Sequence, residues 1–305
     1  MTSYILRRLL AMIFILLGVA VVTFLLVWLT GDPVALIVPM NATPEDVAQL
    51  RHAYGFDRPF LVQLGDFLLG LLQGDFGQSI RHQQPAFALV VERLPATIEL
   101  AIAGILLAVL VAIPLAVVAA SRRNSWVDGV ASGVGLLGQS MPTFWLGILL
   151  IMLFAVRWRF LPSSGNREWS SLVLPAVTIG FYSMATILRL ARSAMVDVLA
   201  QDYVRTARAK GVSERRVVYR HALRNALLPV ITVIGLQFGN LLGGAVITES
   251  VFSWPGMGQF ILKGIADRDM PIVQAGVFVF ALFIVTVNLL TDLAYAWVDP
   301  RVRYD

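Results

Sequence analysis

Six stretches of the chain carry no charged residue over lengths that match a bilayer crossing: Leu9–Gly31, Leu100–Ser121, Gly129–Val156, Trp169–Leu188, Asn225–Thr248 and Met270–Thr291. Each is closed at both ends by charge: Arg8 and Asp32, Glu99 and Arg122, Asp128 and Arg157, Glu168 and Arg189, Arg224 and Glu249, Asp269 and Asp292. Crossing ~30 Å of hydrocarbon takes roughly 20 helical residues, whereas a buried helix of a soluble core needs only ~10–14 apolar ones. Inside lipid such segments must be helices, because an open strand would leave backbone groups without partners. The pattern therefore predicts an all-α, polytopic membrane bundle with about six transmembrane helices. The first stretch follows Arg7 and Arg8 and runs into Gly31-Asp32-Pro33 with no small-residue cleavage site, which reads as an uncleaved signal anchor.

Two intervening segments have structure of their own. Residues 32–98 are too long for a plain connector. Thr43-Pro44-Glu45-Asp46 offers an N-cap, a proline at the first helical position and acidic residues in the first turn, and Gly55 can end that helix. Phe60, Leu61, Leu64, Phe67, Leu68, Leu71 and Leu72 then recur at helical spacing. This reads as a small cap on the bundle, with or without contact to an external partner. In 194–228 a helix is expected to reach Lys210, with Gly211 in its C′ position and Ser213 capping a second helix. On that second helix Val217, Val218, His221, Ala222 and Asn225 share one face, while Arg216, Arg220 and Arg224 share another. Such an element suits docking to a protein, or its arginines hold lipid phosphates; the pattern alone leaves both open.

Composition agrees with the membrane reading. The chain is 58% hydrophobic and 14% charged, with mean hydropathy +0.77, against about half apolar and a quarter charged in soluble domains. The net charge of +5 is carried almost wholly by arginine, the lysines being Lys210 and Lys263. In a membrane protein that balance bears on orientation and not on nucleic acid. Fifteen basic residues flank the spans on the side of the termini (Arg7, Arg8, Arg122, Arg123, nine in 189–224, Arg301, Arg303), against five in the short loops opposite (Arg157, Arg159, Arg167, Lys263, Arg268). The termini and the 189–224 loop are thus expected in the cytoplasm, and 32–98 outside. With no cysteine, thiolate chemistry is excluded.

Within the spans Gly235, Gly239 and Gly243, and Gly129 with Gly133, recur every four residues and suggest close helix approach, within the chain or to a second subunit. Pro114, Pro142 and Pro175 are candidate kinks. The few polar residues inside spans, Gln139, Ser140, Thr178, Gln237, Asn240 and Asn288, are expected to face the protein interior or a wet pathway, and the first five are candidate pore-lining residues. No intramembrane cluster of Asp, Glu or His suggests a proton relay. A P-loop needs lysine followed by Ser or Thr, but Gly211 and Gly264 follow the two lysines. His52, His82 and His221 are scattered, and no G-x-S-x-G elbow occurs. Nothing in the chain supports a catalytic, cofactor or metal site.

Several segments together resemble one family. They are Leu29-Thr30-Gly31-Asp32-Pro33; Gly55-Phe56-Asp57-Arg58-Pro59; Gly74-Asp75-Phe76-Gly77-Gln78-Ser79; Arg93-Leu94-Pro95-Ala96-Thr97-Ile98-Glu99-Leu100; Pro142-Thr143-Phe144-Trp145-Leu146-Gly147; Asp202 to Gly211; His221-Ala222-Leu223-Arg224-Asn225; Glu249 to Gly258; and Asp299-Pro300-Arg301-Val302-Arg303-Tyr304. The chain resembles membrane permeases of the dipeptide/oligopeptide/nickel group of bacterial ABC importers along its whole length.

The resemblance implies one transmembrane domain over 1–305, forming half of a translocation pore in the bacterial inner membrane. It implies a second homologous permease, two ATPase subunits that bind the ATP and Mg²⁺, and a periplasmic or lipid-anchored substrate-binding protein. The 194–228 loop would then dock on the ATPase. Gly211 matches the glycine of the importer motif (E-A-A, three residues, Gly, nine residues, I-x-L-P), while Arg205-Thr206-Ala207 stand at E-A-A and His221-Ala222-Leu223-Arg224 at I-x-L-P. The expected coupling residues are Tyr203, Arg205, Thr206, Ala207, Lys210, Gly211, Ser213, Arg216 and Arg220. The implied cargo is a dipeptide, a longer peptide or a glutathione-like peptide, with nickel as the alternative within the family. An ion-coupled secondary transporter would want intramembrane carboxylates and inverted repeats, and neither is seen; a membrane scaffold would not need such a loop.

Overall fold

Residues 2–29, 43–53, 55 and 57–298 are described by a computed structural model of the chain. The motif at Asp299–Tyr304, and Leu29–Pro33 beyond Leu29, fall outside them. Eleven α-helices follow one another among the described residues: α1 Thr2–Leu29, α2 Pro44–Ala53, α3 Phe60–Leu72, α4 Ala86–Ser121, α5 Trp126–Ser140, α6 Thr143–Leu150, α7 Val173–Leu199, α8 Asp202–Ala209, α9 Leu223–Val251, α10 Met257–Ala266 and α11 Met270–Val298. Five segments are long and apolar enough to cross a membrane, and the bent pair formed by α5 and α6 makes a sixth if it counts as one span. Exposed apolar side chains such as Leu26, Leu110, Leu136 and Ile247 stud these helices, as expected for surfaces that face lipid instead of water.

The spans differ from the sequence reading in two places. α4 is 36 residues long, about 54 Å at 1.5 Å per residue, so Arg93–Leu100 lies inside a helix that starts well before the apolar run. The third stretch is not one straight helix: α5 and α6 meet at 108°. Pro142 supplies the reason. It lacks an N–H and forces the preceding residue out of the helical region, and Met141 is extended at φ −86°, ψ 122°. The segment then widens into a π turn over Ile151–Arg157. Pro114 stays within α4, and Pro175 occupies the first turn of α7, where its missing N–H costs little.

The chain divides into two compact units, residues 1–95 with 256–285, and 96–255 with 286–305. In the first unit, Thr43 and Asp46 form a reciprocal cap on α2. The Thr43 N–H donates to Asp46 Oδ2 (2.9 Å), and the Asp46 N–H donates to Thr43 Oγ1 (3.3 Å). The Thr43 N–H and then its hydroxyl hold the Asp46 carboxyl below its ordinary pKa. Phe24 of α1 meets Phe60 and Phe67 of α3 at 5.7 and 5.4 Å. Phe76 stacks on Phe87 within a core of Val90, Met257, Ile261, Ile272 and Val279. The buried Asp269 gathers the turn after Phe76, accepting from Ser79 Oγ (2.5 Å) and from the N–H groups of Ile80 and Arg81 (both 3.2 Å).

In the second unit α7 is the central helix, burying Leu174, Ile179, Met184, Ile187, Leu188 and Met195. Its tightest approach is to α4: a Cβ on Gly180 would stand 2.5 Å from the Gly104 carbonyl oxygen. A side chain on Gly138 of α5 would likewise stand 2.6 Å from Ala185 Cβ. Of the glycines with four-residue spacing, Gly235 and Gly239 of α9 press on Thr291 and Asn288 of α11, while nothing lies within 4 Å of Gly129, Gly133 or Gly243. Helix approach therefore rests partly on Gly104, which heads a four-residue repeat with Ala108, Ala112, Ala116 and Ala120, and on Gly138, outside the glycine repeats of the sequence reading.

Candidate functional site

The loop of interest is built from a short helix, a tight turn and the start of a long helix. α8 exposes Arg205, Thr206 and Lys210 and buries Val204 completely, with Ala207 half-buried. Its last turn closes as a Schellman motif. Lys210 is the C-cap and Gly211 takes φ +77° at C′. The Gly211 N–H bonds the Arg208 carbonyl (2.9 Å), and the Val212 N–H bonds the Ala207 carbonyl (3.2 Å). Gly211 therefore ends the helix as its sequence position suggested, because a Cβ is disfavoured in that left-handed conformation.

Beyond the turn the sequence reading needs correction. Ser213 starts the next helix, but its side chain makes no capping bond; its carbonyl accepts from the N–H groups of Arg216 (2.9 Å) and Val217 (3.0 Å). Nor is that helix a separate element. Glu214–Arg216 leads through a π turn, Val217–Ala222, straight into α9. Val218, Ala222 and Ala226 bury themselves against Val117 and Ala120 of α4 and Met195 of α7. His221 is half-buried and Asn225 exposed, while Arg216, Arg220 and Arg224 are exposed. The loop is thus an extension of membrane helices, anchored at the ends of α4 and α7.

Three polar links brace it. Arg208 makes a two-pronged ion pair with Glu214 across the turn, at 2.7 and 3.0 Å. Asn225 Nδ2 donates to Tyr203 Oη at 2.8 Å, tying α8 to the start of α9. Nearby, Asp128 at the start of α5 accepts from Arg192 of α7 through Nε and Nη2 (the latter at 2.7 Å) and from the Asn124 N–H at 3.0 Å. The sequence pattern marks Tyr203, Asn225 and Asp128 but pairs none of them, and it does not mark Glu214. Glu214 stands six residues after Arg208, which is no helical spacing, and the pair meets only because the Gly211 turn folds one onto the other.

The candidate pore residues do not form one group. Thr178 is 1% exposed and its hydroxyl turns back on the Leu174 carbonyl at 2.8 Å. Gln237 is buried and accepts from Ser183 Oγ at 3.3 Å. Gln139 is half-buried and donates to Thr186 Oγ1 at 3.4 Å, whereas Ser140 and Asn240 are exposed. Two other motifs do come together. The Thr97 hydroxyl donates to Glu249 Oε1 at 2.6 Å in a buried bond, and the buried Trp254 donates through Nε1 to the carbonyl of the half-buried Ala96 at 2.9 Å. Gly147 packs against Val251, Phe252 and Thr178 on the same side of the unit. Among the described residues no group of His, Asp and Glu is placed to hold a metal ion.

A family model described as "Binding-protein-dependent transport system inner membrane component" matches residues 112–304, and the model for the N-terminal part of such membrane components matches residues 1–101. The chain belongs to this family. The dipeptide transport system permease protein DppB of Alkalihalophilus pseudofirmus is 39% identical over the whole of both chains. The glutathione transport system permease protein GsiC of Salmonella choleraesuis is 43% identical, again over the whole of both. DppB of Escherichia coli strain K12 is 41% identical, covering 100% of this chain and 99% of its own. Two solved structures share the fold: an amino acid ABC transporter with histidines (15% identity, TM-score 0.55, 69% of this chain and 94% of that one) and the inward-facing MetNI methionine ABC transporter (16%, TM-score 0.56, 69% and 96%). As a binding-protein-dependent inner membrane component, the chain is the permease of an ABC importer; the ATPase and the substrate-binding protein of such a system are separate subunits.

Proposed function

We propose that this permease carries short peptides (dipeptides, oligopeptides or glutathione-like peptides) inward across the inner membrane, and that the 194–228 loop couples its pore to ATP hydrolysis on a partner. The observation that carries the peptide reading is the full-length identity of 39–43% to permeases of dipeptide and glutathione systems. The coupling reading rests on the loop's form: a rigid short helix closed by a Schellman turn, continuous with α9 and seated on the ends of α4 and α7.

On this reading the chain is one transmembrane domain over 1–305, and it pairs with a second homologous permease. Two ATPase subunits bind ATP and Mg²⁺ and dock on Tyr203, Arg205, Thr206, Ala207, Lys210, Gly211, Ser213, Arg216 and Arg220, while this chain holds no cofactor. A periplasmic or lipid-anchored protein delivers the substrate, and membrane lipid completes the surroundings. The termini and 189–224 lie in the cytoplasm and 32–98 outside, as the basic residues imply.

The test is affinity purification of the full chain from its native membrane, followed by uptake assays on the reconstituted complex. The proposal expects a second permease and an ATPase to co-purify, and uptake of labelled dipeptide or tripeptide that unlabelled glutathione-like peptides compete for. Uptake of nickel with no response to peptides would overturn the peptide reading. Reporter fusions at Asp305 and within 60–90 should report opposite sides; the same side for both contradicts the topology.

A further inference from the structure

The cations of the 189–224 segment fall into two sets. Arg192 is held by Asp128, Arg208 by Glu214, and Arg205 lies 3.5 Å from Asp202. Arg189, Lys210, Arg215, Arg216, Arg220 and Arg224 are exposed and have no ion pair among the described residues. Of these, Arg220 and Arg224 occupy a particular place, two turns and one turn before Leu228 on the same long helix, at the point where its apolar stretch begins.

The buried line of this helix runs through Val218, Ala222, Ala226 and Val230. Arg220, Arg224, Leu228 and Ile231 occupy the other side, with Leu228 48% and Ile231 43% exposed. At 1.5 Å per residue, Arg224 stands about 6 Å above Leu228 and Arg220 about 12 Å above it. The headgroup layer on each side of the hydrocarbon is roughly 5–8 Å deep. Arg224 stands within that layer; Arg220 stands outside it, and only by folding its long stem back along the helix does its guanidinium reach the layer's outer edge. Arg216 is a further turn out, beyond it. Tyr219, 54% exposed, adds an amphipathic ring beside Arg220, of the kind that favours a membrane boundary.

We infer that Arg220 and Arg224, with Leu228 and Ile231 below them, form a binding site for one anionic phospholipid. The two guanidinium groups take the phosphate oxygens, and the apolar side chains take the upper part of an acyl chain. A guanidinium fork matches phosphate geometry and is less strongly hydrated than an ammonium. The face changes from cationic to apolar within one turn, as an amphiphile does; an ATPase docked in water would match only its cationic end. The inference goes beyond the proposed function and moves Arg220 from the ATPase-docking set to lipid, while Tyr203–Arg216 remain for the ATPase. It rests on that reading only for which leaflet is involved.

The test is lipid retention by the full chain, purified with equal amounts of phosphatidylglycerol and phosphatidylcholine and weighed intact by native mass spectrometry. The wild type is expected to retain phosphatidylglycerol preferentially. R220Q/R224Q should lose that preference by about thirtyfold, since each of the two basic residues near the surface contributes about 1 kcal/mol toward anionic lipid. R205Q/K210Q, which removes equal charge from α8 and its cap, should leave it unchanged, and R220K/R224K should keep most of it, which guards against misfolding of the glutamine variant. Equal retention of both lipids by the wild type, or undiminished phosphatidylglycerol on R220Q/R224Q, would overturn the site. Loss of ATPase co-purification with lipid retention intact would give the arginines to the ATPase instead. The measurement involves neither substrate nor sidedness, so its failure is separate from failure of the peptide or topology readings.

Discussion

Arg208 reaches across the Gly211 turn to Glu214 and grips both carboxylate oxygens, at 2.7 and 3.0 Å. The pair is exposed at 42% and 60%, so its contribution to stability is small, ~0–1 kcal/mol. Its consequence is geometric. It braces the angle between α8 and the segment that leads into α9, beside the Schellman turn that closes α8.

The same turn depends on Gly211, whose φ of +77° is in the left-handed region although open space surrounds it. Gly211→Ala therefore strains the backbone without a clash, at about 1 kcal/mol. The expected result is a chain inserted at normal level with reduced transport. Gly211→Asn, which tolerates that conformation better, should retain more transport than Gly211→Ala in the same uptake assay.

The Thr97–Glu249 bond joins α4 to the end of α9 with both residues 0% exposed. Thr97→Val keeps the shape and removes one buried hydrogen bond to the Glu249 carboxyl, which costs about 1.5–3 kcal/mol. Trp254→Phe removes the bond to the Ala96 carbonyl, worth about 1 kcal/mol, and also leaves a cavity where the indole was buried. Thermal unfolding of the detergent-solubilised chain should register both losses; a wild-type midpoint in Thr97→Val would show that the bond contributes nothing.

Asp128 is largely buried while Arg192 keeps part of its side chain in solvent, 6% against 28% exposed. Breaking a fully buried pair costs ~3–5 kcal/mol, and the exposure of Arg192 reduces that to roughly 2 kcal/mol here. Asp128→Asn should lower the unfolding midpoint accordingly. Arg192→Lys, which keeps charge but not the planar fork, should fall between the two; a Lys variant as stable as the wild type would mean that charge alone matters.

Much of the architecture was legible because lipid imposes so simple a rule. Runs without charge became helices, Thr43 capped α2, and Gly211 ended α8 in the conformation its position required. The break at Pro142 was visible as a proline but not as a 108° bend, because the angle depends on what the following helix packs against. Ser213 stands at the N-cap as expected, but its hydroxyl makes no capping bond, and burial of Val217, Val218 and Ala222 joins the segment to α9 so that it is no separate helix. The polar residues inside spans divided into buried Thr178 and Gln237 and exposed Ser140 and Asn240, a distinction set by helix neighbours that no local pattern encodes. Pairs such as Thr97–Glu249 were unreadable as pairs, 152 positions apart, although both members stood in motifs already singled out.

The central claim, that α8 and its turn pass the ATPase cycle to the pore, is tested most directly at Ala207. This half-buried residue lies in the last turn of α8, and its carbonyl accepts the bond that closes the turn. Ala207→Trp fills space at the docking surface, where overpacking costs about 1–3 kcal/mol, and it touches no membrane span. ATP-dependent peptide uptake and ATPase co-purification should be measured together on the reconstituted complex. The account predicts normal insertion with uptake lost and ATPase association weakened or uncoupled. Unimpaired uptake with normal ATPase co-purification would place the coupling surface elsewhere.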